Sequence, residues 1–275
     1  MVIRMKMSTN LFQNNLKRSF MMAGALVVSA PVFAQATFLI WPIYPKVEAN
    51  EKASAVWLQN TGKTDAMVQI RVYEWNQAQK KDNYSEQNAI IPSPPVAKIK
   101  AGEKHMLRLT KSANAADGKE LAYRIIVDEL PIKFKDDESK ESSKVSFQMR
   151  YSIPLFVYGK GLGSGLTEES QKINKKNPMA KPILTWSIQK NTSGQSVLQL
   201  KNSGHKFSRL TGVKLSPSSE QSTFGDTAFG YVLANSTMQF ELDEKTLNRL
   251  SSQSVLYGVD TSGTKQELIK IEKEN

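Results

Sequence analysis

The chain has 275 residues, 37 Lys and Arg against 26 Asp and Glu, a formal charge of +11 at neutral pH, and no cysteine. That length accommodates two domains of ordinary size, and the lack of cysteine excludes a disulfide framework and any thiolate metal site. A basic balance suits nucleic acid, an anionic membrane or an acidic protein partner, and the N-terminus bears on which.

Lys17 and Arg18 precede a short apolar run, Phe20 to Ala30, which ends in small residues around Ala34 and Ala36. Residues 1–36 therefore have the form of a secretory signal peptide, with a core shorter than the roughly 20 residues of a bilayer span. Cleavage after Ala34 or after Ala36 is equally arguable. Its loss removes Arg4, Lys6, Lys17 and Arg18 and no acid, so the mature chain stays basic. Export argues against a nucleic-acid partner, and no later stretch predicts membrane insertion.

From Thr37 the chain reads as short strands and turns, the pattern of an all-β sandwich. Thr37 to Tyr44 opens it, with Pro42 and Pro45 marking an edge. Ala55 to Gln59 and Met67 to Trp75 follow, the latter with Val68, Ile70 and Val72 on one face. Asn76 to Gln87 reads as a polar connection. Ile90-Ile91, Val96 to Ile99, Lys104 to Thr110 and Leu121 to Leu130 complete the series before a charged segment, Lys133 to Ser143.

Lys144 to Tyr158 then alternates for far longer than the roughly 5 to 6 residues of an ordinary strand. Val145, Phe147, Met149, Tyr151, Ile153 and Leu155 share one face, opposite Ser146, Gln148, Arg150 and Ser152. Two readings stay open: an edge strand that curls past its own sheet, or a strand whose side chains are made for another protein's groove. Pro154 fits an edge. Residues 37–158 thus predict an immunoglobulin-like domain without the disulfide.

Residues 159–181 read as a linker with Gly159, Gly161, Gly163 and Gly165, followed by neither a helical pattern nor the Lys-Ser/Thr of a phosphate loop. Alternation resumes in Ile183 to Ile188, Val197 to Leu200, Leu210 to Leu215, Tyr231 to Leu233, Thr237 to Leu242, Val255 to Val259 and Glu267 to Ile271. A second, smaller sandwich is predicted over 182–275, and no helix anywhere.

Catalytic patterns are lacking. His105 and His205 stand alone, so no metal or cofactor is expected. Leu162 occupies the position where a nucleophile elbow at Ser164 requires glycine. The informative pair is Arg71 and Arg124, one in each of two strands expected to neighbour the long strand. Their guanidiniums either converge on a partner's carboxylate or pair internally with Glu74 or Asp128.

The run Ile91-Pro92-Ser93-Pro94-Pro95-Val96-Ala97-Lys98-Ile99-Lys100-Ala101-Gly102-Glu103-Lys104-His105-Met106-Leu107-Arg108-Leu109 resembles the Pro-Pro and Gly-to-Arg signature of the periplasmic pilus chaperones of the chaperone–usher pathway. Glu129-Leu130-Pro131 and Ile153-Pro154-Leu155-Phe156-Val157-Tyr158 are similar to the ends of that family's sixth and seventh strands. Arg71-Val72-Tyr73-Glu74-Trp75-Asn76-Gln77 and Tyr123-Arg124 resemble its archaic, sigma-type branch.

The resemblance implies an all-β chain of two immunoglobulin-like β-sandwich domains in a boomerang arrangement. It implies a non-enzymatic periplasmic chaperone that lends its seventh strand to incomplete pilin subunits and delivers them to an outer-membrane usher without nucleotide hydrolysis. Self-association of the free form is a further implied possibility, because an exposed apolar strand invites pairing. Better-known members anchor the subunit carboxylate with an arginine and a lysine at positions matched here by Pro45 and Pro154. Arg124, with Arg71 second, is the substitute expected here. An inter-domain ionic cluster of the family matches Glu129 and Asp260, with Lys160 a weak stand-in for its missing arginine. The competing readings are a secreted adhesion or carbohydrate-binding protein and an exported hydrolase.

Overall fold

The computed structural model describes residues 38–131, 148–216 and 229–274, except 252, 254 and 264. The expected signal peptide, the charged segment 133–143 and the start of the long strand, with Val145 and Phe147, lie outside the described residues.

The first part of the chain forms β1 (Phe38–Trp41), β2 (Lys46–Val47), β3 (Ala53–Asn60), β4 (Ala66–Ala78), β5 (Lys81–Ser85), β6 (Ile90–Ser93), β7 (Val96–Ile99), β8 (Lys104–Lys111), β9 (Glu120–Leu130) and β10 (Arg150–Tyr158). One sheet has the order β1-β3-β8-β6, and the other β2-β10-β9-β4-β5, with β7 also on β4. Period-two alternation drives the packing. Val68, Ile70 and Val72 of β4, Ile125 and Val127 of β9, and Ile153, Leu155 and Val157 of β10 meet Val56, Leu58, Leu107 and Leu109 of the facing sheet in one core. The chain changes sheets between β1 and β2: Trp41 pairs with Trp57, whereas Lys46 and Val47 run parallel to Phe156 and Val157.

Asn76 to Gln87 is not a plain connection. β4 continues to Ala78 and turns through Gln79 and Lys80, both with positive φ, into β5. All of β5 is exposed, so no apolar alternation marks it in the sequence.

The second part contains α1 (Glu168–Lys175), β11 (Leu184–Lys190), β12 (Ser196–Asn202), β13 (Ser208–Lys214), β14 (Gly230–Val232), β15 (Ser236–Glu241), α2 (Glu244–Ser251), β16 (Val255–Asp260) and β17 (Glu267–Lys273). Its strands follow one hydrogen-bonded path, β14-β13-β16-β17-β11-β12-β15. The terminal strands β14 and β15 come together, and the path encloses a second core of Leu184, Trp186, Leu198, Leu200, Leu210, Val213, Leu256 and Ile271.

The two helices correct the expectation of none. α1 carries a single apolar residue, Ile173, so no apolar period reveals it. Its signals are a Thr167 N-cap accepting from the Ser170 N–H, acids Glu168 and Glu169 in the first turn and Lys172 and Lys175 in the last. α2 buries only Leu247 and Leu250. The glycine-rich stretch before α1 serves close packing: a Cβ at Gly159 would lie 1.9 Å from the Ala116 carbonyl oxygen, and at Gly163 2.8 Å from the Ser170 Cβ.

A candidate strand-donor edge and its arginines

β10 pairs with β9 along its whole length, from Arg150 opposite Asp128 to Tyr158 opposite Glu120. On its other edge β2 covers only Phe156 and Val157. Among the described residues no strand pairs with that edge from Arg150 to Leu155, which leaves backbone hydrogen-bonding groups for a further strand. Met149, just before β10, is 41% exposed.

The side chains of β10 divide by position. Tyr151 is half-buried, edge-on to Phe38 with ring centroids 6.2 Å apart, and its hydroxyl accepts from the Phe38 N–H at 3.1 Å. Ile153 and Leu155, expected in the donor set, face the chain's own core and are 7% and 0% exposed. That corrects the expectation for these two: their side chains are already spent, because the strand enters the sandwich between β9 and β2. Pro154 sits opposite Arg124, and the Pro45 carbonyl accepts from the Phe156 N–H.

The outer face of β4, β9 and β10 is a ladder of cross-strand rows. Register places Gln69, Asp128 and Arg150 in one row, then Arg71, Ile126 and Ser152, then Tyr73, Arg124 and Pro154, then Trp75, Ala122 and Phe156. Arg71 and Arg124 therefore lie on the same face in adjacent rows. Arg71 donates to Asp128 Oδ2 at 2.6 Å and to the Tyr73 hydroxyl at 3.0 Å, and Arg150 Nε donates to the other Asp128 oxygen. These two guanidiniums hold the Asp128 carboxyl below the usual carboxylate range, against the effect of its burial. Of the two alternatives for Arg71, the structure shows the internal pair with Asp128.

Arg124 is held differently. Its Cζ lies 3.8 Å from the Trp75 ring centroid and 4.9 Å from that of Tyr231 in β14, and its Nε is buried without a hydrogen-bond partner. The Trp75 and Tyr231 rings meet nearly edge-on at 5.1 Å. Arg124 thus sits at the border between open rows and rows covered by the second domain. Beyond it Phe156 stacks on Phe207 at 3.7 Å, nearly parallel, within a cluster that includes Trp75, Ala122, Tyr158, Leu162, Ala180 and Leu233.

The inter-domain charges are not those expected. Glu129 lies at the end of β9 away from the second domain, its N–H donating to the Met149 carbonyl. Nine steps along the strand, about 30 Å, separate it from Glu120, and it does not meet Asp260. Asp260 instead accepts from Ser208 Oγ, the Arg209 N–H and Ser262 Oγ within its own domain, and Lys160 is exposed. The position is filled by Glu120, which accepts from the Phe207 N–H at 2.7 Å, with Lys206 donating to the Ser164 carbonyl at 2.6 Å. Glu48 accepts from Ser164 Oγ and pairs with Lys46. Lys206 carries no motif of its own; its place after a Gly-His turn leading into β13 is the only sequence signal.

Residues 44–163 match the N-terminal domain of pili and flagellar-assembly chaperones. The chain is 66% identical to a chain in the crystal structure of the CsuC-CsuE chaperone-tip adhesion subunit pre-assembly complex, from the archaic chaperone-usher Csu pili of Acinetobacter baumannii. That match covers 87% of this chain and 100% of the other, with a TM-score of 0.75. This chain belongs to the archaic chaperone–usher pilus chaperones. The family also fixes the fold as all-β with two immunoglobulin-like domains. The chaperone shares that fold with E. coli DraB, at TM-score 0.55 and 13% identity over 86% of this chain and 96% of that one. It shares it too with Pseudomonas aeruginosa CupB2, at 0.52 and 16% over 86% and 100%. No curated protein sequence matches the chaperone. The adhesion and carbohydrate-binding reading is not favoured.

Proposed function

We propose that this chaperone captures pilin subunits by adding β10, extended N-terminally through Met149, as a strand to a subunit's incomplete sandwich. The observation that carries the reading is the edge of β10 from Arg150 to Leu155, left without a strand among the described residues while the other edge is fully paired. Strand addition gives affinity through main-chain hydrogen bonds and specificity through alternate side chains. Met149 and Tyr151 are the described side chains placed for that, with Val145 and Phe147 as their N-terminal continuation. Ile153 and Leu155 anchor the strand from within.

Arg124 is the proposed anchor for the subunit's terminal carboxylate, and Arg71 a secondary cation that exchanges Asp128 for it. Guanidinium–carboxylate pairing supports this assignment, as does the position of Arg124 at the end of the open rows. The chaperone acts without catalysis, cofactor or nucleotide, in the periplasm after removal of residues 1–36, and passes the subunit to the outer-membrane usher. Residues 37–158 form the subunit-binding domain, 159–181 the connection and 182–275 the second domain.

Native mass spectrometry of the mature protein, purified from a periplasm in which a pilin subunit is co-expressed, tests the reading. A one-to-one complex that Met149→Asp and Arg124→Ala both abolish supports it. A protein that emerges alone, with the subunit soluble in its absence, overturns it.

A further inference from the structure

Arg124 belongs to the first domain, yet one of the two rings within cation–π range of it, Tyr231, belongs to the second. Trp75 and Tyr231 stand at 83° to one another, so the guanidinium occupies a corner with one wall from each domain. Tyr231 is itself tied down. Its carbonyl accepts from Gln77 Nε2 at 2.8 Å, and the same Gln77 amide accepts from the Leu233 N–H at 2.8 Å and from Ser236 Oγ at 2.7 Å. The Arg209 guanidinium lies 6.0 Å from the same ring, and Phe207 and Phe156 pack against it from the inter-domain cluster. A long arginine side chain loses considerable rotamer freedom when fixed, and a guanidinium held on ring faces directs its N–H groups away from the rings, where the Tyr84 hydroxyl takes one hydrogen bond and a carboxylate can take others.

We infer that Tyr231 is a positioning residue for subunit capture: it fixes the Arg124 guanidinium, so that the carboxylate anchor is complete only when the second domain is docked on the first. The inference rests on the reading of Arg124 as the anchor. It assigns the second domain a part in subunit binding through one ring, beyond its packing on Phe156 at the far end of β10.

The test uses the one-to-one complex of the full mature chaperone with a co-expressed pilin subunit that has a free C-terminal carboxylate. Transfer of the subunit to an excess of differently tagged wild-type chaperone gives the release rate. Tyr231→Leu keeps apolar bulk and removes the ring face, Tyr231→Phe keeps the ring, and thermal melts establish that each variant is folded; Tyr231→Met replaces the leucine variant if that one is not. Tyr231→Leu should release the subunit roughly 3- to 30-fold faster than wild type, Tyr231→Phe should restore slow release, and adding Tyr231→Leu to Arg124→Ala should bring no further acceleration. If Arg124→Ala speeds release but Tyr231→Leu is neutral, or multiplies the arginine effect, the positioning role is overturned while the anchor stands. If Arg124→Ala itself changes nothing, the anchor reading falls and this inference with it.

Discussion

The Glu120 carboxyl group accepts a 2.7 Å hydrogen bond from the backbone N–H of Phe207, so the first residue of β9 and the approach to β13 share one part-buried contact. Burial pushes the Glu120 carboxyl up to about 8, opposed by Lys206, the Phe207 N–H and Tyr158. Its ordinary value is 4.5. Between those two pH values the folded chain keeps a proton that the unfolded chain has released, so stability falls as pH rises from about 4.5 to about 8 and levels off above. Glu120→Gln retains the acceptor and removes the titration. It should be more stable than wild type at pH 8.5, by about 1 to 3 kcal/mol, with the gap closing toward pH 5. Thermal melts across that range check it, and a wild type whose stability stays flat between pH 5 and 8 would rule it out.

The two arginines should separate by magnitude. Arg124 has a buried Nε without a partner and two aromatic neighbours, so removing it from a carboxylate complex should cost about 2 to 5 kcal/mol of binding. Arg71 has 41% side-chain exposure and shares Asp128 with Arg150, so Arg71→Ala should cost no more than about 1 kcal/mol. Competition binding with one subunit and both variants decides; equal losses would mean that Arg71, not Arg124 alone, carries the anchor.

The fold was legible because alternation is a direct imprint of sheet burial: each strand expected in 182–275 overlaps an observed one. What escaped were elements with no apolar face, such as the exposed β5 hairpin and the polar helix α1. The charged site was legible in part. Arg71 and Arg124 could be named, but their shared face depends on the register of β4 against β9. Glu129 was misplaced because a motif match fixes position along a strand and not which end meets the second domain. Glu120 and Lys206 were missed because single charges at strand ends look solvated until a neighbouring domain buries them.

Gln77 joins the domains through main-chain groups. Its amide bonds the Tyr231 carbonyl, the Leu233 N–H and Ser236 Oγ, and its Nε2 also donates to Asp82 Oδ1. Gln77→Ala leaves the Tyr231 carbonyl and the Leu233 N–H without this partner and should destabilise the chaperone by about 1 to 3 kcal/mol. Hydrogen exchange should rise at Leu233 while the N–H groups of β16 and β17 stay protected. Unchanged exchange at Leu233 would mean the latch is dispensable.

Along β10, donation and core packing should come apart residue by residue. Met149 is 41% exposed and precedes the strand, whereas Leu155 is fully buried between the sheets. Met149→Asp should therefore leave unfolding free energy within about 0.5 kcal/mol and abolish subunit capture, since a carboxylate cannot enter an apolar groove without a large desolvation cost. Leu155→Ala should do the reverse. It opens a cavity worth about 2 to 5 kcal/mol yet leaves the strand edge intact, so whatever fraction stays folded should still bind. Urea melts and subunit pull-downs on the same two variants measure both effects. If Met149→Asp binds normally, the donated stretch does not begin where the open edge does.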